Sequence, residues 1–449
     1  MKLYRNLIIL SVVVIVLVAA IVCVYKITPS QEEPQPEETT VFETITVYEV
    51  DSDIISKVTV TTDEYSYDIT KSGDTLKLSN ENGMRLSKSN LQSLIYSCSA
   101  ITASEIITDS PEDAYKFGFN DVNKSVTIHT TDGKSQTILI GDMTLDKKSG
   151  YIKLADSDKI YLKSAYGIEN LTPKYTDFVD KSILKIDTSN LSVLKHVYIS
   201  KSGNTPVKLE YTSEGSKNKW KMTAPVYADV NGQVLADHVL THLAEFSAVD
   251  VAEAHVADKS KYDFANPYAT FSINYDNTVT KLIFGKKYND YRFVMIEGFD
   301  SVYTVKESAL SFLDVPYQNL MSLLIHVEYI DEVSKIEILG ADTAITMEIG
   351  DNEYRINDKN VDKKAFSKAY QAVIGISLDS VDLDSVPPQN YDATIKYTKK
   401  DGNIVTVGFI PVDERNYHVV VDGKGNSITA KKNFNEAIDF VLKTYKNAK

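Results

Sequence analysis

The chain of 449 residues holds two cysteines, Cys23 and Cys98, and a single tryptophan, Trp220. Two thiols cannot build a disulfide framework or a CxxC-type metal knuckle, which needs several ligands at close spacing. An excess of positive charge is missing as well: 48 Lys and Arg stand against 62 Asp and Glu, a formal net charge of −14. A surface built to neutralise nucleic-acid phosphates is therefore not expected. No G-x-x-x-x-G-K-[ST] phosphate loop, G-x-S-x-G nucleophile elbow or HExxH pair occurs. What remains is 43% hydrophobic and 24% charged, a folded composition. At ~150 residues per domain the length suggests about three domains.

One long apolar run is present. Leu7 to Tyr25 carries no charge, and at 1.5 Å rise per residue it spans about 28 Å, the hydrocarbon thickness of a bilayer. Lys2 and Arg5 precede it, and Lys26 gives way to the acidic stretch Gln31–Glu38, so the positive-inside rule places the N-terminus in the cytoplasm and the bulk of the chain outside. A cleaved signal peptide has a shorter h-region of about 7–15 residues followed by small residues, whereas this run ends Ile21-Val22-Cys23-Val24-Tyr25. A lipidated Cys23 is the other competing reading, but Val22 stands where a lipobox has Gly, Ala or Ser. A retained membrane anchor is the expectation. Pro29, Pro34 and Pro36 among glutamates make residues 27–45 a stiff, self-repelling spacer.

The rest of the chain shows one pattern three times. Runs at Lys57–Val60, His196–Ile199 and Lys335–Ile338 open it, and the third strand ends near Leu76-Lys77-Leu78, Trp220-Lys221-Met222 and Tyr354-Arg355-Ile356. Apolar residues at three- and four-residue steps then predict a helix: Leu91, Leu94, Ile95, Cys98 and Ile101 in the first copy; Val234, Leu235, Val239, Leu243 and Phe246 in the second; Phe366, Ala369, Tyr370 and Val373 in the third. A four-stranded meander follows, with turns such as Asp132-Gly133 and Asp401-Gly402. A short helix closes each copy, as in Glu307–Leu313 and Phe434–Val441. Tyr115-Lys116-Phe117-Gly118-Phe119-Asn120 aligns with Tyr262-Asp263-Phe264-Ala265-Asn266-Pro267, Gly408 with Gly141 and Gly285, and Tyr151, Tyr291 and Tyr417 take one common place. Each copy reads β-β-β-α-β-β-β-β-α. The expected fold is α+β: an N-terminal transmembrane helix followed by three tandem repeats of an antiparallel sheet covered by helices. The bounds are 1–26 for the stub and anchor, 27–45 for the spacer, and 46–185, 186–326 and 327–449 for the repeats.

The Trp220-Lys221-Met222-Thr223-Ala224-Pro225 segment, the helix Gln233–Phe246 and the Tyr262–Pro267 motif resemble the bacterial "domain of unknown function 4340" family, over most of residues 50–313 and more faintly the third copy. The resemblance implies a membrane-attached exported protein, often encoded beside ABC-type transporter components of the gliding-motility kind. It carries over no catalytic residue.

Candidate chemistry is sparse. His238 and His242, at i and i+4 of one helix, are a weak metal candidate, but no third ligand stands near them, and an exposed helix face is the simpler reading. His129 and His418 read as strand-surface residues, and Cys98 as a buried thiol on the helix stripe. Asp51-Ser52-Asp53 and Asp379–Asp384 lack the glycine and terminal glutamate of an EF-hand. Among 28 tyrosines, Tyr151, Tyr291 and Tyr417 form a candidate binding surface, with sheet packing as the alternative. No cofactor, metal or catalytic residue is expected. The functional expectation is a membrane-anchored, extracytoplasmic, non-catalytic scaffold or binding protein serving an ABC-type transport or envelope complex. The alternatives are a cell-wall polymer or small-ligand binding module, and a hydrolase of unrecognised type.

Overall fold

A computed structural model describes residues 44–189, 193–212, 219–340, 342–351, 353–384 and 390–448. The apolar run Leu7–Tyr25, Cys23 and nearly all of the acidic spacer lie outside these residues. Among the described residues no helix is long and apolar enough to cross a membrane.

Strands whose side chains alternate between core and surface build three large antiparallel sheets, so the described chain is α+β and sheet-rich. In Ser125–Thr130, for example, Val126, Ile128 and Thr130 point inward and the residues between them face outward. The first sheet has eight strands, in the spatial order Thr75–Leu78, Ser66–Ser72, Ile55–Thr61, Ser125–Thr130, Ser135–Met143, Ser149–Leu154, Ile160–Ser164 and Glu105–Thr108. The other two sheets follow the same order and add a two-residue strand at the near edge, Ala228–Asp229 and Lys359–Asn360. The far edge of each is closed by a strand that follows the helix in sequence: Glu105–Thr108, Asp250–Glu253 and Ser380–Val381. These strands are missing from the expected β-β-β-α-β-β-β-β-α order because none exceeds four residues, too short for a period to show.

Helices cover the sheets. Ser87 and Asp362 cap Lys88–Ser99 and Lys363–Ile374 by accepting from the backbone N–H of Asn90 and Ala365, at 3.3 and 3.0 Å. The middle helix, Gly232–Leu243, is interrupted by a π-helical turn at Ala236–Leu240. Ile101 and Phe246, expected on the helices, lie on the strands that follow them, Ala100–Ala103 and Glu245–Ser247. The closing helix of the third unit runs from Lys431 to Asn447, longer than the expected Phe434–Val441, and buries Phe434, Ala437, Ile438 and Val441. The first and second sheets share one apolar core from Val47 to Met321; the third has its own, from Val333 to Val441.

A β-bulge between Ile55 and Lys57, Leu194 and His196, and Val333 and Lys335 puts Val58, Val197 and Ile336 in one register. Following that register across the sheets corrects three alignments. Ile152, Val294 and Val419 face Ile140, Phe284 and Phe409, so Tyr151 matches Phe293 and His418, Tyr417 matches Gly150 and Arg292, and Tyr291 matches Ser149 and Asn416. The three tyrosines therefore occupy three different places. Phe117 packs edge-on against Tyr151 at 4.7 Å, just as Tyr262 packs against Phe293 at 4.6 Å, so Phe117-Gly118-Phe119 is the counterpart of Tyr262-Asp263-Phe264. Gly118 and Asp263 share the left-handed conformation, at φ 82° and 60°. Finally, Gly408 pairs with Thr394, one residue before Phe409, and is not the counterpart of Gly141 and Gly285.

A Cβ on Gly141 or Gly285 would overlap the carbonyl oxygen of Phe117 or Tyr262, so the backbone itself crosses there. Gly285→Ala is expected to lower stability by about 1–3 kcal/mol in thermal or denaturant unfolding, whereas Gly232→Ala, with open space around the site, stays near wild type. Equal effects of the two substitutions would contradict the crossing.

Candidate functional site

The residues singled out from sequence do not converge. His238 and His242 are both exposed, and the Nε2 atom of His242 lies 3.4 Å from Ser311 Oγ, its ring over Phe312. Among the described residues no group of three or more His, Cys, Asp or Glu side chains is placed to hold a metal ion. Tyr151, Tyr291 and Tyr417 are spread over three sheets; Tyr417 is buried, donates to Asp392 Oδ2 at 2.8 Å and packs on Phe409 and Phe434. Asp51 caps the turn Ser52–Ile54 and Asp53 pairs with Lys71 at 3.3 Å; Asp379 accepts from the distant Ala430 N–H, and Asp382 lies 3.9 Å from His418, which is buried and not on the strand surface where the sequence placed it. Cys98 is fully buried, and burial pushes its thiol up to about 12. His129, half-buried on its strand, is held below the usual imidazole range by burial and then by Lys57.

Polar chemistry gathers instead where one sheet unit hands the chain to the next. The segment leaving the second unit is hydrogen-bonded on both sides: Ser322 N–H donates to Asp229 O at 2.8 Å, Met321 bridges Val230, Leu324 bridges Ser377, and Ile325 N–H donates to Ile376 O at 3.1 Å. Buried groups are otherwise paired or they destabilise the fold. The first junction is built alike. Val179 bridges Leu86, Ser182–Lys185 pairs with Glu245–Ser247, and Arg85 donates to Ile183 O at 3.1 Å and pairs with Asp180 at 3.4 Å.

At the second junction a chain of charges follows the backbone. Lys221 pairs with Asp229 across neighbouring strands; Asp229 Oδ2 lies 3.7 Å from His326 Nδ1; His326 Nε2 lies 3.0 Å from Glu328 Oε1; and Glu328 Oε1 lies 3.3 Å from Lys399 Nζ. Glu328 is 1% exposed, and His326 and Lys399 are 5% and 6% exposed. The Tyr370 hydroxyl donates to the Glu328 carbonyl at 2.9 Å. Burial, and then the Glu328 carboxylate, push the Tyr397 hydroxyl up. Lys221 comes from the second unit, Lys399 from the third, and His326 and Glu328 from the segment between. The Tyr227 ring adds cation–π contacts, with the Lys221 and Lys424 ammonium groups 5.9 and 5.3 Å from its centroid, and its carbonyl lies against Gly425 at the start of the strand Lys424–Ala430.

Beside these charges opens a cleft of about 310 Å³ lined by Trp220, Asp229, Val230, Ser322, Val327 and Tyr329. Tyr211 packs behind the indole at 5.2 Å. Sequence reasoning missed this site because its residues are scattered between strands and a linker; the signal that stood in view was His326-Val327-Glu328, two titratable groups inside an otherwise apolar linker.

An antiparallel α+β sheet protein with hydrogen-bonded joints is the class that this geometry defines. The pattern of the family described as domain of unknown function (DUF4340) matches residues 77–267 and again 220–392. The chain belongs to that family. Both matched windows open in the third strand of one unit, at Lys77 and Trp220, and end just before the meander of the next, so each contains one of the joints. None of the curated proteins matches the chain.

Two outcomes check this geometry. Lys399→Met strips a buried partner from Glu328 and is expected to cost about 3–5 kcal/mol in denaturant unfolding; a change under about 1 kcal/mol would place the pair in solvent. In a Cys23→Ser chain, Cys98 should react with an aromatic disulfide reagent only after unfolding; fast labelling of the native chain would contradict its burial.

Proposed function

We propose that the chain is a single-pass membrane protein with a cytoplasmic N-terminus, whose three tandem α+β repeats stand outside the cell membrane as a non-catalytic scaffold. The partner we assign is an ABC-type transport or envelope complex. The observation that carries this reading is the two-sided pairing of the joints. Domains joined by bare linkers move relative to one another by default, whereas Met321–Ile325 is hydrogen-bonded to the units before and after it. Such an arm presents surfaces at set spacing, which an accessory subunit needs and a flexible tether does not supply. His326, Glu328 and Lys399, three of the buried titratable groups, are engaged with one another at a joint. The apolar run Leu7–Tyr25 and the acidic, proline-containing spacer supply the location. The transporter association rests on the family resemblance. A second reading, a cell-wall polymer or small-ligand binding module, is favoured by the cleft beside Trp220 and Tyr329.

Crosslinking in intact cells followed by affinity capture of the full-length chain is expected to recover a transporter membrane subunit, and protease added outside spheroplasts should digest the region after residue 46. Capture that yields no transporter subunit would remove the association, and full protection from external protease would reverse the topology.

A further inference from the structure

We propose that the cleft between the second and third sheet units is a binding site for a neutral oligosaccharide. This rests on the second reading above, whose ligand class it names, and is independent of the transporter association.

The walls decide the ligand chemistry. Tyr329, 44% exposed, supplies the aromatic surface; Trp220 reaches the wall with only 9% of its surface exposed, and Val230 and Val327 add apolar patches. Asp229 contributes a carboxylate to the same wall, but that carboxylate is already flanked by Lys221 and by His326 Nδ1 at 3.7 Å. It therefore offers acceptor oxygens without offering uncompensated charge. Paired with each other and with side chains only 7% and 14% exposed, Lys221 and Asp229 leave neither a free ammonium for an anion nor a free carboxylate for a cation. Ser322 Oγ accepts from Leu324 N–H at 3.1 Å and keeps its own proton for donation. A ligand that satisfies these walls is uncharged, rich in hydroxyl groups and flat and apolar on one face, which describes a pyranose ring.

Position and rigidity agree with this assignment. Ligand clefts favour domain junctions, and a volume of about 310 Å³ sits at the low end of the ~300–1,000 Å³ range for small ligands. The indole packs against Tyr211 with ring centroids 5.2 Å apart, and the linker that carries Ser322 is tied to both units by the Ser322–Asp229 and Ile325–Ile376 backbone bonds. A platform that is already ordered loses little entropy on binding.

The composition provides the probe, because Trp220 is the sole tryptophan of the chain. The detergent-solubilised full-length protein is titrated with tetra-N-acetylchitotetraose, a neutral oligosaccharide, while Trp220 emission and calorimetric heat are recorded. The expected result is a saturable emission change with a matching heat. Tyr329→Ala should weaken binding about fivefold, the scale of one aromatic contact. Tyr329→Phe, which keeps the ring, should stay within about twofold of wild type, and Tyr115→Ala on the first unit should change nothing. The proposal is overturned by flat emission and heat up to about 10 mM sugar, by binding that Tyr329→Ala leaves unchanged, or by binding confined to charged glycans such as polygalacturonate. Failure of transporter capture leaves this result untouched, and failure of sugar binding leaves the scaffold reading standing.

Discussion

A chain that passes from one sheet to the next carries a backbone N–H and C=O at almost every residue, and each must find a partner once it is out of water. Here the requirement is met at the junctions by pairing the passing segment first with the residues that precede the helix behind it and then with the strand that follows the helix ahead. Leu86 with Val179 and Val230 with Met321 are the first kind of pairing; Ser182–Lys185 with Glu245–Ser247, and Leu324 with Ser377, are the second. The cleft, the buried charges and the shared core of the first two units all depend on these joints.

The charges at the second junction make geometric sense only with the backbone already fixed. Burying Lys399 and Glu328 removes water from both, a cost their mutual attraction offsets only at good geometry. The geometry comes from two sources: Lys399 is held at the end of a central strand, paired with Val333, and Glu328 is steadied by the Tyr370 bond to its carbonyl. An apolar pair of equal volume would hold the units together as well, but without a directional requirement. The row from Lys221 through Asp229, His326 and Glu328 to Lys399 links strand, linker and strand through contacts whose distances depend on how the three are aligned.

Much of the sheet architecture was legible because it rests on local signals. Alternation marked the strands from Val58 to Val420, Asp-Gly pairs marked hairpins, and apolar residues at three- and four-residue steps marked the helices, whereas the capping residues Ser87 and Asp362 were not singled out. Register was less legible. A strand with tyrosine on either face reads the same after a slip of one or two residues, so Tyr151, Tyr291 and Tyr417 looked equivalent while the hydrogen bonds separate them. Strands of two to four residues, such as Ser380–Val381, carry no period at all, and the π-helical turn at Ala236–Leu240 leaves the apolar stripe intact. The candidate site was hidden for a different reason. Lys221, between Trp220 and Met222, looks like an ordinary outward lysine, and Lys399, though on the inward parity of Ala393, Ile395 and Tyr397, stands at a strand end among Thr398 and Lys400 where a solvated lysine is the usual reading; both are buried. The sequence boundary drawn between His326 and Val327 passes through the middle of the charge row.

The strand Ile45–Glu49 pairs with Ala100–Ala103, just after the first helix, as Ser182–Lys185 pairs with Glu245–Ser247 after the second. A pull applied at Ile45 therefore does not reach the first sheet through a single flexible peptide. It is shared among several backbone hydrogen bonds side by side, passes into the core through Val47 and Ile101, and meets the same arrangement again at the next junction. Tension entering at the N-terminal side therefore meets a short strand pair before it reaches Ile55–Thr61, the strand of the first sheet that follows.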